Sequence, residues 1–290
     1  MQLPEIYRTT DFALSFELFP PKTDAGVAKL FEHARQLVEF EPSYITCTYG
    51  AGGSTQDRTL EIAARVRSEF DLPVATHLTC VGRTADQIRD YLRRADEADV
   101  QNVVALRGDP PAGEEKFTAT EGGYSYANEL VEMIHTDFPH MGVAVGGYPE
   151  VHQEAPSAEA DLDNLKRKVD AGAHAIITQL FYDNADFFRF RDQCEAAGIG
   201  VPLIPGLLPV TSVAQIKRIA SLCGAQLPAE FLTQLDAVAD DDAAQFEVGV
   251  EQATEQTQGL VDGGVPGIHY YVLNKSQAAS RVLQAVTLSV

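Results

Sequence analysis

The sequence predicts an α/β protein, specifically an eight-stranded (β/α)8 TIM barrel with extra helices before the last strand. Apolar β-type runs alternate with helix-patterned stretches eight times along 290 residues. Polar residues recur at the ends of those runs: Glu17, Thr48, His77, Arg107, Tyr148, Gln179 and Asn274. Barrels of this class build their sites at the C-terminal ends of several strands, so these residues are read as one site. No linker, repeat or low-complexity tract divides the chain, and its 45% hydrophobic content suffices for one large core. Residues 1–290 are therefore expected to form a single catalytic domain.

The first strand, residues 13–19, stops at Pro20 and Pro21, and a helix pattern follows over 24–39. Alternation puts Ser15, Glu17 and Phe19 on one face and Phe16 and Leu18 on the other. If the apolar pair packs under the helices, Glu17 points into the barrel, where a carboxylate is rarely structural unless paired. Residues 43–50 give a second strand with Tyr44, Thr46 and Thr48 sharing the inward parity. The glycines that follow, Gly50, Gly52 and Gly53, do not form G-x-G-x-x-G and read as a loop before a helix over 55–70. Residues 73–80 form the third strand, ahead of a helix over 84–99. His77 lies on that strand among apolar neighbours and reads as a hydrogen-bonded core residue or a ligand contact.

The fourth strand runs from Val103 to Leu106 and delivers Arg107, Gly108 and Asp109 to a stop at Pro110 and Pro111. Alone, such a string reads as a surface turn with a local ion pair; the repeated pattern of strand-end polar residues makes it part of the site. A helix over 124–137 precedes strand five, where Gly146 and Gly147 suggest close approach to the backbone. The next helix starts near Ser157 and carries Lys166, Arg167 and Lys168, a solvated face or a phosphate contact. Strand six, residues 174–183, places Gln179 in a β-branched and aromatic run, where a buried amide serves a network or reads a ligand. Strand seven covers 201–206, with a helix over 212–222. Two extra helices, 228–238 and 242–259, precede strand eight at 267–274 and a closing helix over 276–286. Asp240, Asp241 and Asp242 read as an N-cap with charge that suits the helix dipole.

Composition narrows the function. A formal charge of −20 opposes binding of nucleic acid. Four cysteines without a Cys-x-x-Cys pair indicate reduced thiols, and no histidine spacing supports a metal. The start has no signal-peptide character and no run is long enough to cross a bilayer, so a cytoplasmic protein away from membranes is expected. A homo-oligomer is the expected assembly.

The ordered motifs FELFPPK, TYGAGGS, THLTC, ALRGDPP, GYPEVHQEA, DLDNLKRKVDAGA, ITQLFYD, PGLLP and YYVLN span nearly the whole chain. In that order and spacing the chain resembles the methylenetetrahydrofolate reductases of the short bacterial type. The resemblance implies a flavoprotein of one-carbon metabolism and methionine biosynthesis. It implies that noncovalent FAD carries electrons from a nicotinamide cofactor, NADH in preference to NADPH, to 5,10-methylenetetrahydrofolate in alternating half-reactions. By motif, Glu17 resembles the family's general acid, Asp109 the carboxylate between flavin and folate, and Gln179 the pterin-binding amide. The implied FAD contacts are Thr48, His77, Arg107, Gly108, Asp109, Tyr126 or Ala127, Tyr148, His152, Ala155, Asp161, Asn164, Arg167 and Lys168. Lys275 stands where relatives can carry arginine for the folate's glutamate tail, and keeps the charge without the bidentate fork. Ile219 stands where an aromatic residue can stack on ligand.

Two other readings fit the residues less well. A Schiff-base lyase needs a lysine projecting from a strand into the barrel, whereas Lys22 and Lys275 lie beyond strand ends. A non-catalytic folate- or flavin-binding barrel acting as an accessory subunit has no use for the acid, the carboxylate and the amide together.

Overall fold

The computed structural model describes residues 1–48, 56–110, 113 and 117–288. The glycines Gly50, Gly52 and Gly53, the expected helix start at Thr55, and Pro111 lie outside the described residues. The strands are β1 (Ala13–Leu18), β2 (Tyr44–Cys47), β3 (Val74–Thr79), β4 (Asn102–Leu106), β5 (Gly142–Gly147), β6 (Ala175–Thr178), β7 (Leu203–Ile204), β8 (Gly206–Leu207) and β9 (Gly267–Tyr271). All pair in parallel, in the order β7-β6-β5-β4-β3-β2-β1-β9-β8.

The seventh of the eight expected strands is thus two short pieces. Pro205 has no N–H to give and divides it: β7 pairs with β6, whereas β8 pairs with β9 and closes the ring. Side chains patch the gap. Gly206 N–H donates to Thr178 Oγ1 at 2.9 Å, and Tyr271 Oη donates to the Thr178 carbonyl at 2.7 Å.

Around the strands lie α2 (Asp24–Val38), α3 (Gln56–Phe70), α4 (Ala85–Glu97), α5 (Ala127–Asp137), α6 (Ala158–Asp170), α7 (Asn184–Ala196), α8 (Val213–Cys223), α9 (Ala229–Ala237), α10 (Asp242–Asp262) and α11 (Gln277–Ala285). Helices α9 and α10 are the extra pair before the last strand. Their starts follow capping chemistry: Ser157 Oγ accepts Ala160 N–H, and Asp241 Oδ1 accepts the N–H groups of Ala243 and Ala244. Among the described residues no helix is long and apolar enough to cross a membrane.

The predicted parity of β1 holds. Phe16 and Leu18 are fully buried in the layer between strands and helices, while Ser15 and Glu17 face the barrel interior. The interior itself is packed by Ala13, Tyr44, Ala75, Val104, Ala144 and Ala175. One element has no counterpart in the expected order: α1 (Leu3–Thr9) plugs the N-terminal end of the barrel. Leu3 and Ile6 are buried there, each contributing on the order of 2 kcal/mol. Leu3 N–H donates to Asn102 Oδ1 at 2.7 Å, and Tyr7 and Tyr44 share a hydroxyl hydrogen bond of 2.8 Å. With this end filled, the barrel interior among the described residues opens toward its C-terminal face.

Candidate active site

A cavity of about 760 Å³ opens at the C-terminal ends of the strands. Its floor is polar. His269 on β9 lies between Ser15 Oγ, 2.8 Å from its Nδ1, and Thr46 Oγ1, 3.5 Å from its Nε2. Burial pushes the His269 imidazole down to about 3, so it is neutral. Above it stands Glu17, level with Thr46 on β2 and Tyr271 on β9. Its side chain is 18% exposed, and Oε2 lies 3.2 Å from His77 Nε2. Desolvation raises the Glu17 carboxyl to about 8 and lowers the His77 imidazole to about 3. Both shifts favour the uncharged forms, a carboxyl that keeps its proton and a neutral imidazole.

The rim comes from the segments after β4 and β5 and from α6. Gly108 has φ +89°, and a Cβ there would come within 2.9 Å of Thr79 Cβ, so glycine alone fits the turn. Arg107 pairs not with neighbouring Asp109 but with Glu154, at 2.6 Å, and its guanidinium lies 5.2 Å over the Phe117 ring. Asp109 is exposed at the cavity mouth, as is Tyr126, with Ala127 opening α5 beside it. The Tyr148 and His152 rings meet edge to face at 4.6 Å. His152 N–H donates to Asp161 Oδ2 at 2.9 Å, which fixes the loop that also carries Ala155.

The basic run divides by helical geometry. Lys166 pairs with Asp170 one turn on, at 2.9 Å, on the outer face. Arg167 is exposed and does not line the cavity. Lys168 turns inward, beside Asn164, and Nζ donates to the Gly146 carbonyl at 2.6 Å. Burial lowers its ammonium to about 8. A lysine thus does reach the cavity, from a helix and not from a strand.

Gln179 follows β6 and lines the cavity, its Oε1 accepting Leu180 N–H at 2.9 Å. Thr48 and Ile219 also line it. Both glycines line the cavity, but only a Cβ on Gly146 would point into it; one on Gly147 would meet Ile176 and Phe190 on the helix side. Lys275 does not join this group. It lines a neighbouring cavity of about 550 Å³, which shares Leu208, Tyr271 and Leu273 as walls with the first. Asn274 lines neither cavity and acts as a clamp. It accepts Phe19 N–H at 2.8 Å and donates to the Phe19 carbonyl at 2.6 Å, tying the ends of β1 and β9. Among the cavity residues that the sequence reading passed over are Glu154, His269 and Tyr271; for the last two, alternation along β9, with Tyr270 outward, was the available signal.

A parallel α/β barrel, plugged at one end and open at the other onto a neutral acid, a lysine and an arginine, has the architecture of a barrel enzyme. The chain belongs to the methylenetetrahydrofolate reductase family, whose model matches residues 2–287. It is 40% identical over 286 residues to methylenetetrahydrofolate reductase (NADH) 1 of Arabidopsis thaliana, covering 95% of this chain and 48% of the relative. It is 39% identical over 264 residues to 5,10-methylenetetrahydrofolate reductase of Escherichia coli K12, covering 91% of this chain and 87% of the relative. The chain therefore spans about half the length of the plant relatives it matches. Among solved structures, an uncharacterised Clostridium thermocellum protein that binds two copies of 5-methyl-5,6,7,8-tetrahydrofolic acid superposes with a TM-score of 0.57. At 15% identity and 98% coverage of both chains, that likeness concerns the fold.

Proposed function

We propose that this chain reduces 5,10-methylenetetrahydrofolate to 5-methyltetrahydrofolate, using noncovalently bound FAD and a nicotinamide donor. The observation that carries the reading is a carboxyl on the inward face of the barrel, Glu17, 18% exposed and 3.2 Å from His77 Nε2, facing a cavity of about 760 Å³. NADH is favoured as donor because the plant relatives bear that name.

The residues fit FAD on their own chemistry. The cavity volume lies within the roughly 300–1,000 Å³ of small-molecule sites. A Cβ on Gly146 would stand in it, 3.5 Å from Leu106 Cδ2 and 3.7 Å from Tyr148 Oη, so the glycine leaves room for a flat group. Lys168 and Arg107 supply cations for a diphosphate, and Asn164, Tyr148, His152 and Thr48 supply polar contacts along its length. When bound, FAD would relay hydride from the nicotinamide to the folate.

Glu17 then has a defined task. The methylene bridge accepts hydride only after its five-membered ring opens to an iminium cation. Opening requires a proton on the leaving nitrogen, and neutral Glu17 gives it, becoming a carboxylate as the carbon–nitrogen bond breaks. Asp109, at the mouth, stabilises the cation electrostatically. Gln179 orients the pterin by its amide, and the cavity lined by Lys275 takes the anionic tail. The inner face of the barrel keeps water from the opened ring.

The purified protein should carry flavin absorbance that NADH bleaches and methylenetetrahydrofolate restores. Glu17→Gln keeps the side chain's shape and removes its proton. Stopped-flow absorbance on that variant should show bleaching at a near-native rate and restoration slowed by roughly 10²–10⁴-fold. Restoration at the native rate would remove Glu17 from the acid's role. A barrel that only binds its ligands would show no folate-dependent step in either protein.

A further inference from the structure

We infer that His77 is the positioning partner of Glu17: its Nε2 side holds one carboxyl oxygen, so that the other oxygen presents the proton to the cavity. The inference rests on the proposed role of Glu17 as the acid.

Position is the first argument. Glu17 is level with Thr46 on β2, and Thr46 with Ala75 on β3; His77 stands two residues beyond Ala75 on the same inward face. The carboxyl at the end of β1 and the imidazole of β3 thus meet across β2, at 3.2 Å. Among the described residues His77 is the one basic group within ion-pair distance of Glu17.

The surroundings are occupied elsewhere. On β9, both nitrogens of His269 face the hydroxyls of Ser15 and Thr46, and the Tyr271 hydroxyl donates to the Thr178 carbonyl. On β2, Cys47 is a buried thiol whose ionisation burial and Glu17 both oppose. Arg107 is paired with Glu154, and Lys168 with the Gly146 carbonyl. None of these is placed to receive the negative charge that Glu17 acquires when its proton leaves.

A neutral imidazole with its proton on Nε2 serves both protonation states. It donates to Oε2 of the protonated carboxyl, which leaves the acid proton on Oε1. After proton transfer the same N–H donates to a carboxylate, a charge-assisted bond that offsets the cost of leaving that anion buried. His77 therefore lowers the proton affinity of Glu17 relative to the same pocket without a donor, and makes it the stronger acid. The flavin contact that the family resemblance implies for His77 does not account for this approach to the carboxyl.

The test compares His77→Met with His77→Gln, side chains of similar length of which only the second donates. The readout is the infrared carbonyl stretch of the protonated carboxyl, titrated in the purified protein, with Glu17→Gln identifying the band. In His77→Met the titration should move upward by about one to two pH units, the loss of a charge-assisted bond. In His77→Gln it should stay near the parent value. Folate-dependent restoration of flavin absorbance should slow in the Met variant and recover in the Gln variant, and its alkaline limb should follow the infrared titration. Equal titrations in the parent and the Met variant, or in the two variants, would overturn the inference. If the band moves as expected while the parent shows no folate step, the pairing stands and the proposed activity falls.

Discussion

Glu17 keeps its proton because folding removes the water that would solvate the carboxylate, and that has a stability consequence of definite sign. The carboxyl titrates near 8 in the folded protein and at about 4.3 in an unfolded chain. Between those values the folded state holds a proton that the unfolded state has released, so stability present below pH 4 is lost as pH rises toward 8. Glu17→Gln carries no such proton. Its stability relative to the parent should rise through this window, by on the order of 5 kcal/mol at pH 8. Urea midpoints at pH 5 and pH 8 measure it; a difference between the two proteins that does not change with pH would mean a solvated, ordinary carboxyl. Asp109 is the opposite case, an exposed carboxylate at the mouth. Beside a bound flavin its fixed charge disfavours the anionic reduced form, so Asp109→Asn should raise the flavin midpoint potential and slow folate reduction. An equal or lower potential in a redox titration would leave Asp109 a binding role only. Glu17 was legible from parity alone, as a carboxylate on the inward face of an apolar strand. Its approach to His77 was not, since pairing across an intervening strand depends on register, which no single-strand pattern contains.

Helix α6 shows how an element sorts residues that sequence places side by side. Successive helical residues are about 100° apart, so three consecutive cations cannot share a face. Lys168 lies three residues after buried Leu165 and seven after Asp161, and that spacing turns it inward, while Lys166 and Arg167 stay outside. Lys168→Ala should therefore weaken FAD binding by roughly 10–150-fold, the worth of a charge-assisted contact, while Arg167→Ala changes it little. Fluorescence titration of apoprotein with FAD separates them. Equal losses would mean that α6 meets the ligand with its outer face as well. The spacing from Leu165 made this readable in advance. Other elements were less so: α1 has seven residues and a proline in its first turn, too short for a helical period to declare itself. Asn274 shared the strand-end position of the site residues, and only the bonds to Phe19 reveal a clamp.

The barrel as a whole was readable because eight strand-helix alternations admit few other arrangements, whereas its closure depends on one proline. Gly206 and Leu207 meet β9 at two register positions, against five between β3 and β4, and Thr178 side-chain and main-chain groups span the break at Pro205. A ring with one lightly stitched joint opens there first when it opens at all. Deuterium uptake should accordingly be faster in peptides covering residues 203–208 than in those covering β3 and β4. Thr178→Val, which keeps the shape and removes the acceptor for Gly206 N–H, should speed it further. Leu208, next to this joint, lines both cavities, so bound folate should slow uptake in the same peptides. Uptake equal to that of β3 and β4 would show that the side-chain stitches hold as firmly as a continuous ladder. With faster uptake at the joint, slowed by folate, the breathing of the barrel and the residence of its ligand become two measurements of the same joint.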